Sequence, residues 1–231
     1  MDYSVIITCS FIKSHPSIDF IKSVLESLQY ININNNIPII LAHDYCEDIN
    51  YFKYLINLTN YILNKQNIKI VIRETLGCLT GNIRHAFNYI NTKYVLIIQH
   101  DFLFIKKFNI ENIINDMNDN PKLKHIRFNK RKTEKCIFDN QSDLFGKQIK
   151  CNNYIYTRTP GWSDNNHICL SDYYRNIVLK ECEDGSFMEK KLWNKPRNIK
   201  NHKKYGTYIF DEVNSEAYIK HIDGKNNLTI N

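Results

Sequence analysis

The segment Tyr94 to Phe104 reads YVLIIQHDFLF, so that an amide, an imidazole and a carboxylate (Gln99, His100, Asp101) interrupt apolar, β-rich sequence. A carboxylate set between two apolar blocks is costly to bury without a cation. Beside an imidazole or amide it can hold a hard divalent ion through oxygen, and such an ion bridges phosphates and neutralises a departing diphosphate. The plainer reading is a turn closed by Asp101 and His100 themselves; the burial cost favours the metal. Other strand-like segments also run into polar residues. Thr8, Ser10 and Lys13 follow the first, His43-Asp44-Tyr45 the second, and Gly77, Gly81, Asn82 and Arg84 the third. Asp44 can accept from a base or ribose, or simply make an Asx turn. The glycine-flanked helix start near Gly81 allows close backbone approach, and Arg84 supplies a cation, a pairing suited to a diphosphate or sugar hydroxyls. Neither a G-x-G-x-x-G nor a Walker sequence is present, which disfavours a dinucleotide fold and excludes a P-loop.

The elements that must position these residues alternate through the first half. Tyr3 to Cys9, Ile37 to Ala42, Ile68 to Glu74 and Lys93 to Gln99 read as short buried strands. Between them, Pro16 to Tyr30, Ile49 to Lys65 and Leu79 to Ile90 carry helical apolar spacing, the first opened by its proline. Repeated β-α units with nearly continuous apolar strands imply an α/β fold with a mostly parallel sheet covered on both faces. Open sheets of this kind bind ligands beyond the carboxyl ends of their strands, where the polar groups above collect. The second half is less regular. It holds a helix at Asn109 to Met117, a strand at Leu123 to Asn129, a polar stretch from Lys130 to Asn153, a helix from Ser171, and late strands in YGTYIFD and EAYIKHID. No linker or repeat divides the chain, so the expectation is one domain over residues 1–231, with 1–104 as a nucleotide-binding half and 105–231 as an acceptor half.

Length and composition bound the rest. A chain of 231 residues that is 43% hydrophobic and 24% charged can bury a sizeable core. The formal charge of +7 fits Lys-rich surfaces or an anionic partner. The most basic run, Lys190 to Lys204, has one Trp and no stacking series, so nucleic acid is not expected as a partner. Seven cysteines, odd in number and without C-x-x-C, read as reduced thiols in a cytoplasmic setting. Neither a signal peptide nor an apolar run of membrane-spanning length is evident.

The order of these elements, together with QHDF, GWSDNNHI, GSFMEKKLW and YIKHIDGK, resembles GT-A glycosyltransferases, and among them viral proteins of the chlorovirus and giant-virus type that build capsid glycans. That fold sets an Asp-X-Asp metal motif at the end of its fourth strand, and Gln99-His100-Asp101 looks like a shortened form, with Gln99 in place of the first Asp. The resemblance implies a nucleotide-sugar donor, a glycan or other hydroxyl acceptor, a divalent ion (Mn2+, with Mg2+ as the alternative) and inverting transfer, in the host cytoplasm if the source is viral. It implies that Thr8, Ser10 and Asp44 hold the nucleotide and that Arg84 and Asp101 face the diphosphate and metal. His221 would close over that ion from a late strand. For the base that an inverting reaction needs, Glu189 is favoured. Asp164 then positions the acceptor, or takes the base role itself, and Trp162 stacks on a sugar ring. Two rival readings use the same features: a metal-dependent phosphohydrolase or nuclease acting through Asp101, and a non-catalytic module docking an anionic polymer.

Overall fold

The computed structural model describes residues 2–135 and 144–222. Four strands predicted from the sequence form one parallel block. They are β1 (Tyr3–Cys9), β2 (Ile39–His43), β3 (Ile68–Ile72) and β4 (Tyr94–Gln99), in the order β3-β2-β1-β4. Their side chains alternate between two cores. Val5, Ile7, Leu41, Leu96 and Ile98 face one side of the sheet, and Ile6, Ile40, Val95 and Ile97 face the other. Each of these is essentially removed from water, and burial of such a side chain stabilises by about 1.5–3 kcal/mol.

Helices α1 (Asp19–Ser27), α2 (Ile49–Ile62) and α4 (Ile110–Asp119) cover the first face through Val24, Tyr51, Leu58 and Ile113. The second face is covered by α3 (Cys78–Ala86) and by a later helical run. That run comprises α5 (Ser171–Tyr173), a π-helical turn at Tyr174–Val178, and α6 (Leu179–Glu181). Asp48 caps α2 and Asn109 caps α4, each accepting a backbone N–H two residues on.

Beyond β4 the sheet becomes mixed. Antiparallel β9 (His167–Leu170) lies between β4 and β6 (His125–Arg127). Next come β10 (Thr207–Phe210), β8 (Ile155–Arg158) and β7 (Gln148–Lys150), making nine strands in all. A small second sheet pairs β5 (Phe102–Phe104) antiparallel with β11 (Ile219–His221). The expected parallel pattern therefore holds for the first half and gives way where β9 enters from the carboxyl-terminal half.

The basic run folds as α7 (Met188–Leu192), a short 3-10 turn and α8 (Ile199–Tyr205). Lys195 and Lys204 pair with Glu181, and Arg197 sits over the Trp193 ring. Much of that charge is thus tied to the chain itself. No helix among the described residues is long and apolar enough to cross a membrane.

Candidate functional site

Where β4 ends, the backbone N–H and Nδ1 of His100 both reach the carbonyl of Thr8, each at 3.0 Å. This double bond to β1 turns the chain and delivers Asp101 to the carboxyl rim of the sheet. Its Oδ2 lies 3.0 Å from Nε2 of His221, while its Oδ1 is buried with no partner. The pairing is fixed by register: His221 stands opposite Phe102, and their rings stack at 4.4 Å. Asp101 and His221, 120 residues apart, are thus brought together, with side chains 18% and 37% exposed.

Gln99 has a different task from a metal ligand. Its Nε2 donates to the carbonyl of Asp164, and its backbone N–H donates to Oδ1 of Asn166. Asn166 is fully buried and also donates to the carbonyl of Phe102. These bonds latch the loop after Ser163 to the end of β4 and hold Asp164 at the same rim as Asp101. The Asp164 carboxyl is pushed up to about 7, first by burial and then by the negative charge of Glu189, with Asp101 adding to the effect and Lys130 opposing it. Glu189, exposed in the first turn of α7, therefore faces Asp164 electrostatically. Two carboxylates with unequal environments are the arrangement from which acid and base roles separate.

The other end of the rim is built on Asp44, which is buried after β2. Its Oδ1 accepts from the backbone N–H of Gly77 and of Tyr45, and Nε of Arg73 lies at 3.8 Å. Arg73 stacks so closely beneath Gly77 that a Cβ there would meet Cζ of Arg73 at 2.6 Å. Ser10 is exposed just past β1.

Three expected residues are placed otherwise. Thr8 is buried and its hydroxyl donates to the carbonyl of Ile98, so the side chain knits β1 to β4 instead of facing a nucleotide. Arg84 donates to Oδ1 of Asp184 and to the carbonyls of Leu179 and Cys182. It braces α3 against the end of α6, and Arg73 is the arginine beside Asp44. Trp162 is 1% exposed, within the core against His125 and His167. An indole so enclosed has no face for a sugar ring, which corrects the stacking expectation.

Sequence reasoning also missed Arg73, Asn166 and Lys130. Arg73 directly follows β3 and was legible by the rule that flagged Asp44. Asn166 carries no local signal, and the latching task of Gln99 differs from the one its neighbours suggested, because the partners of both lie more than 60 residues away.

Among the described residues no group of three His, Cys, Asp or Glu side chains is set to hold a metal. The orphaned Oδ1 of Asp101 would nonetheless suit a hard ion, which the His221 imidazole would join on giving up its bond to Oδ2. At the end of β2, His43 is fully buried with Nδ1 against the hydroxyl of Tyr51. Its pKa is lowered to about 3 by burial and by the neighbouring His100 and His15.

No protein-family model and no curated protein matches the chain. Solved structures do. S. aureus TarS (residues 1–349) superposes with a TM-score of 0.58 at 14% identity, over 96% of this chain and 60% of that one. The same protein in complex with UDP-GlcNAc gives 0.54 at 16% identity, over 95% and 58%. A mannosyltransferase from Pyrobaculum calidifontis, in complex with GDP-Man and Mn2+, gives 0.54 at 11% identity, over 76% and 46%. The chain thus spans about 60% of the TarS 1–349 structure. At these identities the likeness establishes the fold: a GT-A, Rossmann-like α/β architecture shared with GT-A-like glycosyltransferases.

Proposed function

We propose that this chain is a glycosyltransferase that moves a sugar from a nucleotide-sugar donor to a hydroxyl of a glycan or other acceptor, with inversion. The observation that carries the reading is the rim built at the end of β4, where Asp101 meets His221 and Gln99 latches the Asp164 loop beside them on a GT-A-like sheet; the charge of Glu189 acting on Asp164 supports it. The neighbours complexed with UDP-GlcNAc and with GDP-Man and Mn2+ support it.

Residues 1–104 serve the donor: Asp44, with Arg73 beside it, and Ser10 receive the nucleotide. Residues 105–231 serve the acceptor. Asp101 and His221 would hold the divalent ion, Mn2+ or Mg2+, whose chemistry there is to neutralise the departing diphosphate. Glu189 takes the proton from the acceptor hydroxyl as that oxygen attacks the anomeric carbon. The bond from that carbon to the diphosphate breaks, and its electron pair leaves with the nucleoside diphosphate. Asp164, about half protonated near pH 7, grips the acceptor hydroxyl as hydrogen-bond donor and holds it in line.

The test is a thermal-shift screen of UDP-, GDP- and dTDP-sugars with and without Mn2+, followed by product analysis with NMR assignment of the new anomeric centre. One donor should raise the melting temperature, and the product should have the inverted configuration. Asp101→Ala should lower transfer by about 10²-fold or more. Full activity after chelation would remove the ion from the mechanism. Cleavage of nucleic acid without turnover of any nucleotide sugar would replace the reading with a nuclease.

A further inference from the structure

Beside His221 lies a cavity of about 350 Å³, lined by Lys130, Arg131, Lys220, His221, Ile105 and Ile219 among others. That volume suits a small group more than a nucleotide. Its walls are built, since residues 129–133 are zipped to 214–219. The backbone N–H of Thr133 donates to the carbonyl of Ser215, that of Asn214 to Thr133, and those of Tyr218 and Ile219 to Asn129. Three cations are thereby held together on two facing segments. Lys130 lies over the Phe102 ring, and its charge is felt at Asp164. Neither the Arg131 guanidinium nor the Lys220 ammonium has an ion-pair or hydrogen-bond partner among the described residues, although Lys132 next door is paired with Glu134. Like charges on facing segments, unpaired among the described residues, repel, and an anion between them removes that repulsion.

The cavity also has a direction. It meets the proposed reaction centre at His221 on one wall, and Lys130 couples it to Asp164, which lies on the acceptor side. We propose that the acceptor carries an anionic oxygen group, a phosphate or a carboxylate, which docks between Lys130, Arg131 and Lys220 and so sets which of its hydroxyls faces Asp164 and Glu189. The inference rests on the transferase reading and narrows its acceptor class. Arg131 offers a planar fork matched to paired anionic oxygens, and the two lysines add mobile point charges.

The test uses the full chain with methyl phosphate, methyl glucuronide and neutral methyl glucoside as probes, followed by titration calorimetry and by transfer assays. At least one anionic probe should bind in a salt-dependent way and the glucoside should not; which anion binds more tightly distinguishes phosphate from carboxylate. Arg131→Ala and Lys220→Ala should each weaken that binding about tenfold, the loss of roughly one charge-assisted bond. Nucleoside diphosphate affinity and acceptor-free hydrolysis of the donor should stay as in the parent. Charge reversal at Lys220 should abolish anion binding altogether. Equal use of neutral and anionic probes overturns the inference and leaves the transferase reading intact. A parallel loss of diphosphate affinity also overturns it, by assigning the cavity to the donor. Absence of any donor binding or hydrolysis overturns the transferase reading itself.

Discussion

In the proposed transfer, Asp164 and Glu189 would divide their work by environment. Asp164 is protonated below about pH 7 because burial and the charge of Glu189 disfavour its ionised form. As a donor to the acceptor it is effective below that value and lost above it, so the acceptor KM should rise as pH increases through 7. Asp164→Asn mimics the protonated group and should flatten this limb, with kcat within about tenfold of the parent. Glu189→Gln should cost about 10²–10⁴-fold in kcat, the usual worth of a general base, with nucleotide affinity unchanged. A Glu189→Gln enzyme of full activity, with Asp164→Asn inactive, would exchange the two roles. Stability carries the same sign: a carboxyl raised above its unfolded value favours the fold at low pH, and that contribution disappears as pH rises through about 7. Asp101, Asp164, Glu189 and His221 drew attention in the sequence because acidic and imidazole groups next to apolar runs demand a reason; the structure pairs Asp101 with His221, and the roles proposed for all four are what these variants test. Trp162 misled because an indole serves a core as well as a sugar, and only the packing of His125 and His167 around it decides.

At the scale of elements, β1, β2 and β4 could be read because each buries a continuous apolar stretch, the edge strand β3 from its β-rich composition although only Val71 of it is buried, and the helices between them from their apolar spacing. The three-residue strands β5 and β7 could not. A strand that short has no period, and β5 exists because β11 returns to pair with it. α8 was hidden in a lysine-rich run whose buried side is only His202 and Tyr205.

Two elements carry sharp mechanical consequences. Asp116 of α4 is fully buried and accepts from the backbone N–H of Asn153 and Tyr154, from Nδ2 of Asn153 and from the hydroxyl of Tyr156. It thereby ties α4 to β8. Asp116→Ala strands the buried Tyr156 hydroxyl and releases the backbone at Asn153 and Tyr154, and should cost about 2–4 kcal/mol, read by urea denaturation. Gly77 caps α3 directly over Arg73. Gly77→Ala must push that guanidinium aside, costing about 1–3 kcal/mol and weakening nucleotide-sugar binding through Asp44. Unchanged donor affinity in this variant would remove Asp44 and Arg73 from the donor site.

Across the whole molecule, the sheet joins two halves that the sequence suggested would divide the labour. β9 and β6, from the carboxyl-terminal half, sit directly beside β4. Part of the positive charge behind the +7 balance, which in the sequence suggested at most a vague anionic partner, is tied within the chain, as Lys195 and Lys204 are at Glu181, and another part, Lys130, Arg131 and Lys220, gathers around the cavity beside His221. A count of lysines could not separate these, because pairing is decided by which segments meet.

Gly77 sits at another junction of this kind. Its amide is held by Asp44, and its carbonyl accepts the amide of Gly185. Thr80 bonds to Ser186, and Asp184 bridges Arg73 and Arg84. The stretch that leads to Glu189 is therefore hung from the same turn that would receive the nucleotide. Under the transferase reading, a donor settling against Asp44 would stiffen the approach to Glu189 before any acceptor arrives. The expected outcome is a fixed sequence of entry, donor first, with amide exchange across residues 183–189 slowed on addition of nucleotide sugar alone.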